Sequence, residues 1–196
     1  MIGIYGGTFD PIHNGHLHVI KELLRSRRVE RIIVIPAGDP QLRAKPVASG
    51  SERLAMCELA ISQLGALKDS VEVSDIEVLR NRPTYAIETV TELMARDPNK
   101  DFAWIIGSDA YRKIEDWHES ERLHDLISFI VVERPQERSS DDADSDFDEF
   151  ETTEIDALQI SATEIRDRLH QGIDVSAMVP AAVLSFIGSK GLYGSA

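Results

Sequence analysis

The chain has 196 residues, of which 42% are hydrophobic, enough for one domain with an ordinary core. Its net charge of −13 at pH 7 argues against a general binder of nucleic acids or of anionic membranes. The single cysteine, Cys57, excludes an intrachain disulfide, and no apolar stretch approaches the length of a membrane span, so we expect a cytoplasmic protein.

Short β-branched runs alternate with longer helical patterns along the chain. The predicted strands are Ile2 to Tyr5, Arg31 to Ile35, Val71 to Val73, Ala103 to Ile106, Ser128 to Val132 and Ile155 to Leu158. The predicted helices are Gly15 to Arg27, Ser51 to Leu64, Tyr85 to Arg96, Glu119 to Asp125, Ser161 to His170 and Pro180 to Ser189. This order predicts an α/β fold: a Rossmann-like, doubly wound parallel sheet of five to six strands, helices on both faces and a small C-terminal helical part. We expect residues 1–196 to form one such domain.

Two segments have loop character. Residues 36–50 contain three prolines and two glycines after a predicted strand, at the sheet edge where ligands bind in open parallel sheets. Residues 135–152 are strongly acidic, and we expect a mobile loop there. Eight acidic residues and no lysine or arginine lie in residues 139–154, so the rest of the chain is only mildly acidic.

The segment Gly6-Gly7-Thr8-Phe9-Asp10-Pro11-Ile12-His13-Asn14-Gly15-His16-Leu17 joins the first strand to the first helix. Two glycines allow close backbone approach at a helix N-terminus that favours an anion, and phosphate is the expected guest. His13 and His16 are three residues apart and can both offer an N–H donor on one side. The alternatives are solvated or capping histidines, or metal ligands together with His18.

A second motif, Ile160-Ser161-Ala162-Thr163-Glu164-Ile165-Arg166, begins another predicted helix. Ser161 followed by Glu164 is a capping box, which alone predicts only a helix start. Ser161, Thr163 and Arg166 would also place two hydroxyls and a guanidinium around a helix N-terminus, which suits a polyphosphate.

Together and in this order, the two motifs resemble the HxGH and ISxTxxR signatures of the nucleotidylyltransferase superfamily. The longer string GGTFDPIHNGHL is similar to that of the nicotinate-mononucleotide adenylyltransferases. Further segments agree with that family: Pro83 to Thr89, Ile106 to Ala110 followed by Trp117, Val132 to Pro135, and Val179 to Tyr193.

The resemblance implies transfer of the adenylyl group from ATP to nicotinate mononucleotide, which gives deamido-NAD and pyrophosphate in NAD biosynthesis. It implies catalytic roles for His13, His16 and Arg166. The residues implied to bind ATP are Gly7, Thr8, Phe9, Gly107, Asp109, Arg134, Ser161 and Thr163. Those implied to bind the mononucleotide are Arg43, Lys45, Thr84, Tyr85, Ala86, Trp117 and His118. Mg²⁺ would accompany ATP, without dedicated protein ligands, and neither nucleic acid nor membrane is an expected partner.

Several alternatives stay open at this level. Pantetheine-phosphate adenylyltransferases have similar motifs, although they usually carry threonine where His13 stands, and a regulatory module could bind ATP without catalysis. Arg43 and Lys45 compete as the basic residue that meets the mononucleotide phosphate. Asp109 either accepts hydrogen bonds from a ribose or caps a helix. Ala86 stands where the family commonly has threonine, and the sequence does not determine the oligomeric state.

Overall fold

A parallel β-sheet forms the centre of the computed structural model, which describes residues 1–39, 45–80, 82–133, 151–155 and 158–195. Its strands are β1 (Ile2–Gly7), β2 (Arg31–Pro36), β3 (Val71–Val73), β4 (Phe102–Gly107), β5 (Ser128–Glu133) and β6 (Glu151–Glu154). All five strand pairs are parallel, in the order β3-β2-β1-β4-β5-β6. The predicted doubly wound fold is therefore confirmed, with six strands.

The helices connect and cover these strands. They are α1 (Asn14–Arg25), α2 (Gly50–Ser62), α3 (Ala86–Arg96), α4 (Ser108–Tyr111), α5 (Ser120–Leu126), α6 (Ala162–His170) and α7 (Ala181–Lys190). Short 3-10 turns occur at Gly65–Ser70, Val78–Arg80, Ile114–Asp116 and Leu192–Gly194. In the described part of the chain, no helix combines the length and the apolar character needed to cross a membrane.

Two hydrophobic cores lie on opposite faces of the sheet, as the two-residue alternation of a strand requires. In β2, Ile32 and Val34 belong to one core, and Ile33 and Ile35 belong to the other. The first core contains the apolar faces of α1, α2, α6 and α7, and the second contains those of α3, α4 and α5. The seven helices of the described ranges thus pack on one sheet, which supports our proposal that the chain forms one domain.

The last strand departs from its prediction. The sequence predicts a strand from Ile155 to Leu158, whereas β6 ends at Glu154, so that prediction is wrong. β6 pairs with β5 alone, and the polar sequence Glu-Thr-Thr-Glu suits an edge strand held by backbone hydrogen bonds. Ile155 instead enters the first core.

This placement also shortens the predicted acidic loop, because Glu151 and Thr152 belong to β6. The prediction for residues 135–150 lies outside the described residues.

Candidate active site

The candidate site lies at the carboxyl ends of β1 and β4. The chain passes from β1 outward to β2 and β3, then returns to place β4 on the other side of β1. Connections leave in opposite directions at this point and open a crevice, which is where open α/β sheets bind ligands. The loops that follow β1, β2 and β4 reach this edge together.

The loop after β1 is fixed by close packing. A Cβ on Gly6 would lie 2.6 Å from the Trp104 ring, and one on Gly7 would lie 2.9 Å from the Phe9 ring, so both rings pack directly on the backbone. Phe9 has a φ of 50°, in the left-handed region that non-glycine residues rarely adopt. Backbone strain of this kind persists where surrounding packing enforces it, and it concentrates at functional sites.

His13 is the N-cap residue of α1, and the His16 side chain caps it from the third helical position. The His13 backbone N–H donates to Nδ1 of His16 over 3.2 Å, and the two rings stack with centroids 3.7 Å apart. Because Nδ1 of His16 accepts this hydrogen bond, a neutral His16 carries its proton on Nε2. The capping alternative and the phosphate role are therefore compatible: one nitrogen caps the helix and the other is a donor.

The second motif meets the first through Arg166. Its Nη1 donates to the Asp10 carbonyl over 2.7 Å, and its Nη2 donates to Oγ1 of Thr163 over 3.2 Å. Ser161 caps α6 by accepting from the Glu164 N–H at 3.1 Å. The Glu164 carboxylate pairs with Arg168 at 2.7 Å, one turn further along the helix. Both motif hydroxyl oxygens act as acceptors here, so their own O–H groups can donate to phosphate.

Asp10 connects three parts of the chain and was not predicted as a site residue. Its buried carboxylate accepts from the backbone N–H groups of Val47 at 2.8 Å and Ala48 at 3.1 Å, and from the Tyr193 hydroxyl at 2.6 Å. Burial and the hydrogen bond to Asp10 raise the pKa of Tyr193, which therefore stays a donor. Lys45 is exposed and lies two residues before Val47, which is bonded to Asp10 on the loop after β1.

Arg53 is a second residue that the sequence analysis missed. It is only 1% exposed, and its guanidinium bonds to backbone carbonyls on the loops after β1 and β2. A signal was present in the sequence: Arg53 lies three, four, seven and eight residues before Met56, Cys57, Ala60 and Ile61, which form the buried face of α2.

Several residues predicted to bind the mononucleotide lie together around the start of α3. The Tyr85 and His118 rings lie 4.4 Å apart, which brings the Ala86 segment beside the Trp117-His118 segment. Trp117 is partly exposed and stands edge-on to Trp104, with centroids 5.8 Å apart. Tyr85 is the N-cap residue of α3, and its side chain makes no capping hydrogen bond.

The buried Glu77 carboxylate bonds to two threonines near the start of α3. It accepts from the hydroxyls of Thr84 at 2.9 Å and Thr89 at 2.8 Å, and its own carbonyl lies close enough to Gly38 that a Cβ there would come within 2.3 Å. Thr89 also accepts from Arg80, which donates to the Glu92 carboxylate on α3 over 2.6 Å. Thr84 is thus tied both to α3 and to the loop after β2.

The region after β4 is open. A Cβ on Gly107 would meet no atom within 4 Å, which leaves room for a ligand. Gly107 is the N-cap of α4, so the alternative that Asp109 caps this helix is wrong. The exposed Asp109 carboxylate contacts Arg112 at 3.3 Å. The predictions for Arg43 and Arg134 lie outside the described residues.

Comparison with known proteins decides the family. The cytidylyltransferase-like family matches residues 4–168. A "probable nicotinate-nucleotide adenylyltransferase" of Acidothermus cellulolyticus is 35% identical, over 98% of this chain and 93% of the relative. One of Geobacillus kaustophilus is 34% identical, over 99% and 86%. This chain belongs to the nicotinate-nucleotide adenylyltransferase family.

The fold of the family extends to distant structures. Plasmodium falciparum nicotinic acid mononucleotide adenylyltransferase complexed with NaAD aligns with a TM-score of 0.84 at 23% identity, over 100% of this chain and 98% of that one. The same enzyme complexed with APC aligns with a TM-score of 0.81. At this identity the likeness concerns the fold.

Proposed function

We propose that this protein transfers the adenylyl group of ATP to nicotinate mononucleotide, forming deamido-NAD and pyrophosphate in NAD biosynthesis. The observation that carries the proposal is the meeting of the two motifs: His13 and His16 start α1, and Arg166 from α6 bonds to the Asp10 carbonyl beside them. Full-length similarity to nicotinate-nucleotide adenylyltransferases supports the same reaction.

The reaction requires alignment and charge stabilisation. A phosphate oxygen of the mononucleotide attacks the α-phosphorus of ATP in line, the bond from that phosphorus to the bridging oxygen breaks, and pyrophosphate leaves. No protein nucleophile takes part. In agreement, burial raises the pKa of the Cys57 thiol, so the only cysteine stays protonated.

Each phosphate group has donors of its own. The Nε2–H of His16 and the His13 side chain stabilise the charge that develops on the α-phosphoryl oxygens. Arg166, Ser161 and Thr163 hold the leaving pyrophosphate. A guanidinium has five N–H donors, so Arg166 can keep its bonds to Asp10 and Thr163 and still bind phosphate.

We propose that Mg²⁺ enters with ATP, where it neutralises part of the triphosphate charge. Within the described ranges, no three His, Cys, Asp or Glu side chains are grouped so that they could hold a metal ion. The Asp10 carboxylate lies on the loop after β1 and is already bonded to two backbone N–H groups and to the Tyr193 hydroxyl. This donor set fits an ion whose ligands are mostly phosphate oxygens and water.

The acceptor pocket suits an acid better than its amide. Backbone N–H groups at Ala86 and His118 can bind the nicotinate carboxylate while Trp117 contacts the pyridine ring. An amide would turn its own NH₂ donors against these N–H groups, which costs about 1–3 kcal/mol for an unpaired buried group. We expect a preference of about 10-fold or more in kcat/KM for the acid.

Pyrophosphate release tests the proposal. The protein is incubated with ATP, Mg²⁺ and one acceptor at a time: nicotinate mononucleotide, nicotinamide mononucleotide or pantetheine phosphate. We expect turnover with the first, slower turnover with the second and none with the third. Turnover with pantetheine phosphate alone would reassign the enzyme, and ATP binding without any turnover would indicate a regulatory module.

A further inference from the structure

We propose that Arg53 is a positioning residue that sets the loop after β1 and the loop after β2 at the spacing required for in-line attack. The inference rests on the proposed function, because the first loop holds the phosphates of ATP and the second leads to the basic residue that meets the mononucleotide. Arg53 itself touches neither substrate.

The geometry of the guanidinium supports this role. Nη1 donates to the Thr8 carbonyl over 2.7 Å, and Nη2 donates to the carbonyls of Ala37 over 2.6 Å and Gly38 over 3.0 Å. Nε donates to the Ala48 carbonyl over 3.3 Å, just before α2. One rigid, planar group therefore bonds to the loop after β1 and to both ends of the loop after β2.

The end of the β1–β2 ladder explains why a side-chain donor is needed between the two loops. The β1–β2 ladder ends at the pair Gly7 and Pro36, and the last bond beside it runs from the Ala37 N–H to the Gly7 carbonyl over 2.8 Å. The ladder ends at this point, so the carbonyls of Thr8, Ala37 and Gly38 have no partner within it and need other donors. Arg53 supplies these missing donors.

The burial of Arg53 indicates that this arrangement has a cost. Burial lowers the pKa of the guanidinium, and the nearby Asp10 carboxylate partly offsets the effect. Asp10 accepts from the Val47 and Ala48 N–H groups, and Arg53 donates to the Ala48 carbonyl, so the two side chains hold the same loop at adjacent peptides. A lysine could not reproduce the arrangement, because its ammonium is a compact charge on a flexible stem rather than a planar fork.

Arg53→Lys and Arg53→Gln test the proposal against a matched control, Ile61→Ala. Ile61 lies in the buried face of the same helix, eight residues after Arg53, and its side chain has no hydrogen-bonding group, so its truncation should lower Tm and leave the hydrogen bonds of both loops in place. For each protein we would measure kcat, the separate Kd values for a non-hydrolysable ATP analogue and for nicotinate mononucleotide, and Tm.

We expect kcat of both Arg53 variants to fall by about 30-fold or more while each Kd changes by less than about threefold, because two substrates can bind singly and still be misaligned. Ile61→Ala should keep kcat near the wild-type value at temperatures below its Tm. Unchanged kcat in Arg53→Lys, Kd values that rise in step with the loss of kcat, or two variants that do not fold would each overturn the positioning role.

Amide hydrogen exchange separates this inference from the proposed function. In Arg53→Lys, the amides of residues 8–10, 37–39 and 47–48 should exchange at least about 10-fold faster than in Ile61→Ala, whereas those of α7 should match it. If wild-type protein released no pyrophosphate with nicotinate mononucleotide, the proposed function would fail and exchange would still decide whether Arg53 couples the loops. Unchanged exchange at these residues would refute that coupling.

Discussion

His16 is expected to perform two tasks with two different nitrogens, and a pair of substitutions varies the donor at Nε2 while both keep an oxygen that can cap the helix. Nδ1 accepts from the His13 N–H. The ring packs edge-on against the rings of Phe9 and Tyr5, with centroid distances of 5.0 Å and 6.1 Å. His16→Asn places an amide oxygen near the position of Nδ1 and leaves nothing at Nε2. His16→Gln places its amide NH₂ near Nε2, and its amide oxygen can accept from the His13 N–H, as glutamine does at this position of a capping box. Both lose the ring, so packing losses cancel in the comparison.

The magnitudes follow from these contacts. One preorganised donor to a developing oxyanion is worth about 100- to 1000-fold in kcat, so we expect His16→Asn to lose at least about 100-fold. His16→Gln should keep at least about 10-fold more activity than His16→Asn. Both variants keep an amide oxygen that can cap α1, so their Tm values should agree within about 4 °C, the shift that about 1 kcal/mol produces in a domain of this size.

Steady-state pyrophosphate release and a thermal melt measure both quantities. The two variants should differ in activity and not in stability: the Gln variant keeps the higher kcat at a similar Tm. If His16→Asn kept kcat within about threefold of wild type, Nε2 would not be a donor to the reacting phosphate, and the assignment of this site would be refuted.

Three further predictions follow from other contacts. Tyr193→Phe removes a buried hydrogen bond to the Asp10 carboxylate, worth about 1.5–3 kcal/mol, so Tm should fall by about 3–12 °C; an unchanged melt would mean that this bond contributes nothing. Glu77→Gln mispairs the Thr84 or the Thr89 hydroxyl, at a cost of about 1–3 kcal/mol, and should raise KM for the mononucleotide about 10-fold with little effect on KM for ATP. Lys45→Ala should likewise raise KM for the mononucleotide about 10-fold, and an equal effect of Arg43→Ala would leave the choice between them unsupported.

The sequence by itself determined the architecture and both phosphate motifs. Five of the six predicted strands and all six predicted helices occur within two residues of their expected ends, because the periodicity of apolar residues records which side of each element is buried. The two motifs follow from local chemistry, since glycines, histidines and a capping serine act within a few residues of one another.

Only the tertiary structure decided which residues support the site. Glu77 and Asp10 look like ordinary surface charges in the sequence, and the apolar face of α2 marks Arg53 as buried without showing what it bonds to. Each of the three is buried because its partners lie on other elements. Asp10 meets Tyr193 across 183 residues of chain, and Arg53 meets Thr8 across 45. The misplaced sixth strand has a related cause: an edge strand is selected by backbone pairing with β5, and this pairing leaves little trace in side-chain hydrophobicity. Local patterns encode an element's own preferences, whereas long-range hydrogen bonds exist only after the fold has brought distant peptides together.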